Sequence, residues 1–204
     1  MQKKASLTAI DLIYGYSNGI FPMADNEEGE LYWYAPDPRA IIPIDTYQPA
    51  RSLRPVLNQR VFEIRVDTAF EQVMRGCAGP RPDSEGTWIS EEIVSAYTHL
   101  HEMGYAHSIE AFREGYLAGG LYGVSLGAAF FGESMFFHQP NASKVAFHHL
   151  IEILRIQGFV LLDTQFINDN VRRFGAIEIP RENYMHRLNK ALAEKAIFPS
   201  GYRA

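Results

Sequence analysis

Residues 128–163, AAFFGESMFFHQPNASKVAFHHLIEILRIQGFVLLD, run from an apolar strand-like segment through a helix-like segment into a second apolar strand-like segment. Ala128 to Phe137 has the aromatic enrichment of a buried strand. Asn141 or Ser143 can start a helix that carries Phe147, Leu150, Ile151 and Leu154 on one face, and Gly158 ends it. Phe159 to Asp163 then reads as a strand. Strand, helix, strand in that order predicts a parallel crossover, and with it an α/β sheet.

The flanking sequence extends that sheet. Upstream, His107–Phe112 and Tyr116–Val124 read as strands, the second joined to the Ala128 run through Ser125-Leu126-Gly127 as a hairpin. Ahead of them Ser90 caps a helix with Glu91 and Glu92 in its first turn, then Ile93, Ala96, Tyr97 and Leu100 at helical spacing, and Gly104 stops it. Val61–Val66 alternates as a strand, followed by a helical stretch near Asp67–Cys77 and a Gly/Pro loop through Gly86. Downstream come a short helical piece at about Asn168–Phe174 and an amphipathic helix from Arg181 to Lys195. The first 60 residues are less regular. They hold a helix from Thr8 to Asn18 ended by Gly19, a strand at Leu31–Tyr34, the extended turn Pro36-Asp-Pro-Arg39 and the apolar pair Ile41-Ile42. The change of pattern predicts a small N-terminal α+β domain over 1–60 and an α/β domain over 61–204.

The 204 residues are 47% hydrophobic and 21% charged with a formal charge of −5, which suits a globular chain and excludes a disordered or collagen-like one. The single cysteine, Cys77, can form neither an internal disulfide nor a Cys-based zinc site. No apolar run reaches the roughly 18 residues of a membrane span, so a cytoplasmic protein without a membrane partner is expected. The charge is unevenly placed. Asp25, Glu27, Glu28 and Glu30 cluster, whereas residues 38–66 hold five Arg against Asp45 and Glu63, a net of +3. Such a stretch is a candidate phosphate contact and equally an ordinary solvated surface.

Seven histidines invite a metal. His101-Glu102 with His107 fails on spacing, because six residues on a helix turn through about 600° and leave the imidazoles on different faces. His99 and His101 are two apart and His148 and His149 adjacent, so no metal is expected. Gly123-Val-Ser-Leu-Gly127 matches the nucleophile-elbow pattern, which would make Ser125 a nucleophile with Asp163 or Asp169 and then His186 following in chain order. That elbow requires strand, sharp turn and helix, whereas Ala128–Phe131 reads as a second strand. The nearby glycines also lack the Lys-Ser/Thr of a phosphate loop.

Phe130-Phe-Gly-Glu-Ser-Met-Phe136 is more informative, because Glu133 inside an aromatic run must be paired, protonated or functional. Asp163 and Gln165 are two apart at a strand end and share a face if the strand persists. They would then stand at the carboxyl end of the strand, where α/β sheets gather ligands. Each also has a structural reading, Asp163 as a cap and Gln165 as a partner for buried backbone.

A longer series of segments resembles the leucyl/phenylalanyl-tRNA protein transferases in order and spacing. It comprises Ile20-Phe-Pro-Met23, Trp33 with Pro36-Asp-Pro-Arg39, Arg51-Ser-Leu-Arg54, Gly76-Cys-Ala78, Thr87-Trp-Ile89, Ala96-Tyr97 with Leu100-His101 and Gly104, and Ala106-His-Ser-Ile-Glu110. It continues through Gly119-Gly-Leu-Tyr-Gly-Val124, Gly132-Glu-Ser-Met-Phe136, Asn141-Ala-Ser-Lys144, Asp163-Thr-Gln165, and Gly175-Ala176 with Glu178-Ile179. The resemblance covers nearly the whole chain.

It implies an acetyltransferase-like (GNAT) α/β domain behind a small N-terminal domain. It further implies transfer of leucine, phenylalanine or methionine from aminoacyl-tRNA to the N-terminal Arg or Lys of a protein, a mark for degradation by the N-end rule. No cofactor is implied, and the sequence lacks the Q-x-x-G-x-G/A loop of acetyl-CoA enzymes. By the resemblance Gln165, Asp163 and Glu133 are catalytic, the glutamine receiving the amine proton through the aspartate. A carboxamide is a poor Brønsted base, so Gln165 is expected instead to accept a hydrogen bond and aim the amine, with the Asp163 charge stabilising the ammonium that forms. Glu133 is expected to anchor an amino group of either substrate.

The resemblance also places Trp88, Leu121, Phe130, Met135, Leu150 and Leu162 around the aminoacyl side chain, although most of these read equally as core. The tRNA is expected along the basic stretch, with Arg51, Arg54 and Arg60 on phosphates, and the protein as a monomer. Met23 and Tyr32 stand where relatives have tryptophan, and Thr164 where cysteine is common. The alternatives are an aminoacyl transferase acting on cell-wall precursors and a serine hydrolase using Ser125.

Overall fold

A computed structural model describes residues 7–24, 30–79 and 89–201. The chain opens with helix α1 (Ala9–Ser17), strands β1 (Phe21–Ala24), β2 (Leu31–Tyr34) and β3 (Arg39–Ile41), and the short helix α2 (Arg54–Asn58). Strand β4 (Glu63–Val66), helices α3 (Phe70–Ala78) and α4 (Glu91–Glu102), and strands β5 (Ala106–Arg113), β6 (Tyr116–Leu126) and β7 (Ala129–Phe137) follow. Helix α5 (Ala142–Ile156), strand β8 (Leu161–Gln165), helix α6 (Asp169–Arg173), strand β9 (Ile177–Ile179) and helix α7 (Arg181–Ala193) complete it.

Local chemistry sets several of these ends. Thr8 and Asp11 form a reciprocal capping box on α1, and Ser90 Oγ accepts from the Ile93 N–H at the start of α4. Gly104 and Gly158 take left-handed φ of 82° and 78° just beyond α4 and α5, which frees the chain to turn back into a strand.

Seven strands form one sheet in the order β4-β5-β6-β7-β8-β3-β9. β4 to β7 pair antiparallel, and α5 carries the chain to β8, parallel to β7, as the Ala128–Asp163 pattern predicts. Leu12 of α1, Val73 of α3, Tyr97 of α4 and Leu188 of α7 belong to the core on one face, and Phe147, Leu150 and Leu154 of α5 to the core on the other.

Residue 60 does not divide this sheet. β3, from the N-terminal stretch, lies between β8 and β9 and antiparallel to both, because Ala40, Ile41 and Ile42 are apolar enough to be buried in the interior of the sheet. The β1–β2 hairpin is a separate two-stranded sheet. The short elements β1, α2 and β9, none longer than 5 residues, leave too little periodicity to be read from the sequence. Asp25, Glu27 and Glu28, the loop through Gly86, and Trp88 lie outside the described residues.

β7 carries a bulge. Tyr122 pairs with Ser134 and Gly123 with Gly132, leaving Glu133 as the extra residue. The insertion reverses the alternation, so Phe131 and Phe136 share one core layer and Phe130 and Met135 the other. Gly123 makes room for it, since a Cβ there would overlap the Phe131 carbonyl and the Phe130 ring.

Candidate active site

β7 and β8 pair only from Ala129–Leu161 to Phe131–Asp163. Beyond that point β8 keeps its pairing with β3, at Gln165–Ala40, while β7 runs on to Phe137, and β7 and β8 part. A cleft of about 250 Å³ opens there, between Gly132–Met135 on one side and Thr164–Gln165 on the other. Leu121, Met135, Phe147, Leu150, Leu162 and Phe174 supply its apolar lining, and Glu133, Ser134, Thr164, Gln165, Asn168 and Asn170 its polar lining.

Asp163 stands behind this wall, fully buried. Arg39 Nε donates to its Oδ1 at 2.9 Å and Arg39 Nη2 to its Oδ2 at 2.6 Å, while Tyr184 Oη donates to Oδ2 at 2.7 Å and the Gln165 N–H to Oδ1 at 2.8 Å. Both oxygens are therefore engaged by donors alone. The Arg39 guanidinium is also wholly buried, between the rings of Phe21 at 4.6 Å and Tyr184 at 4.7 Å. Burial opposes its charge, and the facing Asp163 more than compensates, so its pKa is raised. Burial and Asp163 raise the Tyr184 hydroxyl well above its ordinary range, which keeps it a donor.

Gln165 leaves strand geometry with φ 67°, so the extended backbone on which a shared face for Asp163 and Gln165 depends ends at Gln165 itself. Its N–H turns back to Asp163, and its side chain crosses the cleft, Nε2 donating to Glu133 Oε1 at 2.8 Å. No described residue donates to Gln165 Oε1. The bulge aims the Glu133 carboxyl at Tyr97, whose hydroxyl donates to Oε2 at 3.4 Å and is itself hydrogen-bonded to the Tyr16 hydroxyl. Burial pushes the Glu133 carboxyl up to about 7, against hydrogen bonds that pull it down. Burial and Glu133 raise both tyrosines well above their ordinary range, so each remains a hydroxyl at neutral pH.

The structure thus brings Glu133, Asp163 and Gln165 together and sets Leu121, Met135, Leu150 and Leu162 on the adjoining wall. Phe130 lies off that wall, in the core, with its ring stacked 5.2 Å from Phe198. Arg51, Arg54 and Arg60 are exposed around α2, and none of them lines the cleft. Arg39, one of the five Arg in the candidate phosphate-contact stretch, is buried and spent on Asp163 instead, and Tyr184, Tyr16 and Tyr97 had no expected role at the site. One signal was available for Tyr97: it sits on the core stripe of α4, and a buried tyrosine hydroxyl needs a partner.

A family model described as Leucyl/phenylalanyl-tRNA protein transferase matches residues 41–189, and one described as Leucyl/phenylalanyl-tRNA protein transferase N-terminal domain matches residues 5–37. The chain belongs to this family. It is 53% identical to the leucyl/phenylalanyl-tRNA–protein transferase of Chlorobaculum parvum over 92% of its own length and 97% of the relative's. Against the Gloeobacter violaceus transferase the identity is 52%, over 92% of this chain and 95% of that one. Against the Chlorobaculum tepidum transferase it is 49%, over 92% and 97%.

Membership of the leucyl/phenylalanyl-tRNA protein transferase family does not favour the hydrolase, and neither does the geometry around Ser125. Ser125 lies within β6, joined to β7 by the turn at Gly127-Ala128, with no helix following. Asp163 is committed to Arg39. The Ser125 hydroxyl instead meets His107 Nε2 at 3.1 Å, and His107 Nδ1 meets Asp67 at 2.8 Å. The Phe198 ring stacks 4.4 Å from His107, and the Ser125 N–H is spent on the Tyr105 carbonyl rather than held for an oxyanion. Among the described residues, no helix is long and apolar enough to cross a membrane and no His/Cys/Asp/Glu group could hold a metal ion.

Proposed function

We propose that this chain joins the aminoacyl group of Leu-, Phe- or Met-tRNA to the α-amino group of a protein beginning with Arg or Lys, in the cleft where β7 and β8 part. On this reading the sheet with its α5 crossover is an acetyltransferase-like (GNAT) domain, the protein acts as a cytoplasmic monomer, no cofactor takes part, and the product is an N-end-rule degradation signal. The observation that carries the reading is the Gln165–Glu133 contact in a cleft that is also lined by apolar side chains.

The apolar lining receives the aminoacyl side chain. Met135 adapts to different shapes, and the Phe147 and Phe174 rings, 4.0 Å apart, present a firm wall that branching at Cβ would meet. Because Glu133 takes the Gln165 NH2, the Gln165 carbonyl is left to accept an N–H of the incoming amine and direct its lone pair at the ester carbon. An α-amino group with a pKa near 7.7–8.0 is neutral in roughly a tenth of molecules at pH 7, so orientation is needed more than a strong base. The C–N bond forms, the ester C–O bond breaks, and the ribose hydroxyl of the tRNA leaves with the proton given up by the amine. Asp163 is a positioning residue, holding the Gln165 backbone while its own charge is met by Arg39.

Gln165→Ala tests this. Transfer is expected to fall on the order of a hundredfold with tRNA binding little changed. Equal loss of transfer and tRNA binding would place Gln165 in donor binding instead.

A further inference from the structure

A second cavity, of about 400 Å³, lies on the opposite side of α5 from the cleft. Phe147 and Leu150 of α5 line the cleft, while Val145, His148 and His149, half a turn away, line this cavity. The facing wall comes from α2 and the chain leading into β4, and includes Arg60 and Phe62.

Arg60 follows the C-cap of α2 with φ 48°, a position that glycine or asparagine fills at lower cost. Its side chain is exposed, with no ion-pair or hydrogen-bond partner among the described residues. An arginine at a strained position, with its charge unpartnered among the described residues, points to an external anion. Burial lowers the pKa of both His148 and His149, so the cavity offers uncharged imidazole rings, an apolar floor and one cation at its rim.

We infer that this cavity takes a base of the unpaired 3′ end of the donor tRNA, on the 5′ side of the terminal aminoacyl-adenosine, with Arg60 on the adjoining phosphate. The inference rests on the aminoacyl-transfer reading above. A stacking wall beside a cation is the sequence-tolerant chemistry by which proteins hold single strands. An α-helix is only about 10–12 Å across with its side chains, a gap that a single-stranded tail can span from cleft to cavity.

Two donors separate the subsite from the reaction: the phenylalanyl ester of adenosine, and the phenylalanyl ester of cytidylyl-(3′→5′)-adenosine, each with an Arg-initiated peptide as acceptor. The ratio of kcat/KM, dinucleotide over nucleoside, is expected on the order of ten for the unaltered protein. It should fall toward one in Arg60→Gly, which also relieves the backbone strain, and in His149→Ala. A ratio near one in the unaltered protein, or one preserved in both variants, overturns the subsite. Absence of transfer from either donor by the unaltered protein overturns the aminoacyl-transfer reading itself, and the subsite with it.

Discussion

Arg39 and Asp163, 124 residues apart in the chain, meet through two guanidinium nitrogens and both carboxylate oxygens at 2.9 and 2.6 Å, with neither side chain exposed. The pair ties β3 to β8, and Arg39 Nη1 reaches on to the Gly19 carbonyl at 3.3 Å, beside the start of β1. Removing the arginine leaves a buried carboxylate facing only neutral donors. Arg39→Ala is therefore expected to cost about 3–5 kcal/mol in chemical denaturation. Arg39→Lys should recover little, because a single ammonium cannot span both oxygens while filling the slot between Phe21 and Tyr184. A loss under about 1 kcal/mol for Arg39→Ala would show that the pair is dispensable.

Gln165→Glu sets a second carboxyl against Glu133, where the amide now donates at 2.8 Å. Two carboxyls at that distance share one proton near neutral pH, so a carbonyl-like acceptor toward the cleft survives. The variant is expected to keep measurable transfer where Gln165→Ala does not. Comparing the two variants at matched tRNA occupancy checks this, and equal inactivity would remove the acceptor role.

Glu133, pushed up to about 7 by burial, compares with roughly 4.3 in an unfolded chain. A raised carboxyl holds its proton more tightly when folded, so its contribution is fully present below about 4.3 and is lost as the pH rises through about 7. The loss is on the order of 3 kcal/mol. Denaturant unfolding of Glu133→Gln across that window should show a flatter pH dependence than the unaltered protein. Identical slopes would mean that Glu133 does not titrate there.

The crossover over Ala128–Asp163 was legible in sequence because its apolar runs are long and its helix carries a clean stripe ending at Gly158. Glu133 and Gln165 stood out because a polar residue in or beside an apolar strand needs a reason. Their contact was not legible, since it depends on a bulge in β7 and a left-handed residue closing β8, neither of which leaves a periodic signal. The place of β3 was hidden for a similar reason: three residues carry too little pattern to say which sheet they join. Arg39 lay in a proline-flanked turn, and nothing local indicates that its charge is spent on a residue 124 positions away.

Arg51 and Arg54 are exposed at α2, on the basic stretch whose charge leads us to propose that they contact tRNA phosphates. Each Arg→Ala replacement should flatten the slope of log K for tRNA against log salt by about 0.7–0.9 and weaken different tRNA bodies alike. Filter binding across a salt series reads both, and unchanged slopes would move the tRNA off this surface.

Aminoacyl transfer to a basic N-terminus is the activity proposed for this cleft. Its most direct test mixes the purified protein with radiolabelled Leu-tRNA or Phe-tRNA and peptides differing only in an N-terminal Arg or Ala, without coenzyme A or metal, and counts acid-stable label on the peptide. Label on the Arg peptide alone is the expected result. No label on either peptide, while the tRNA still binds in a salt-sensitive manner, would contradict it.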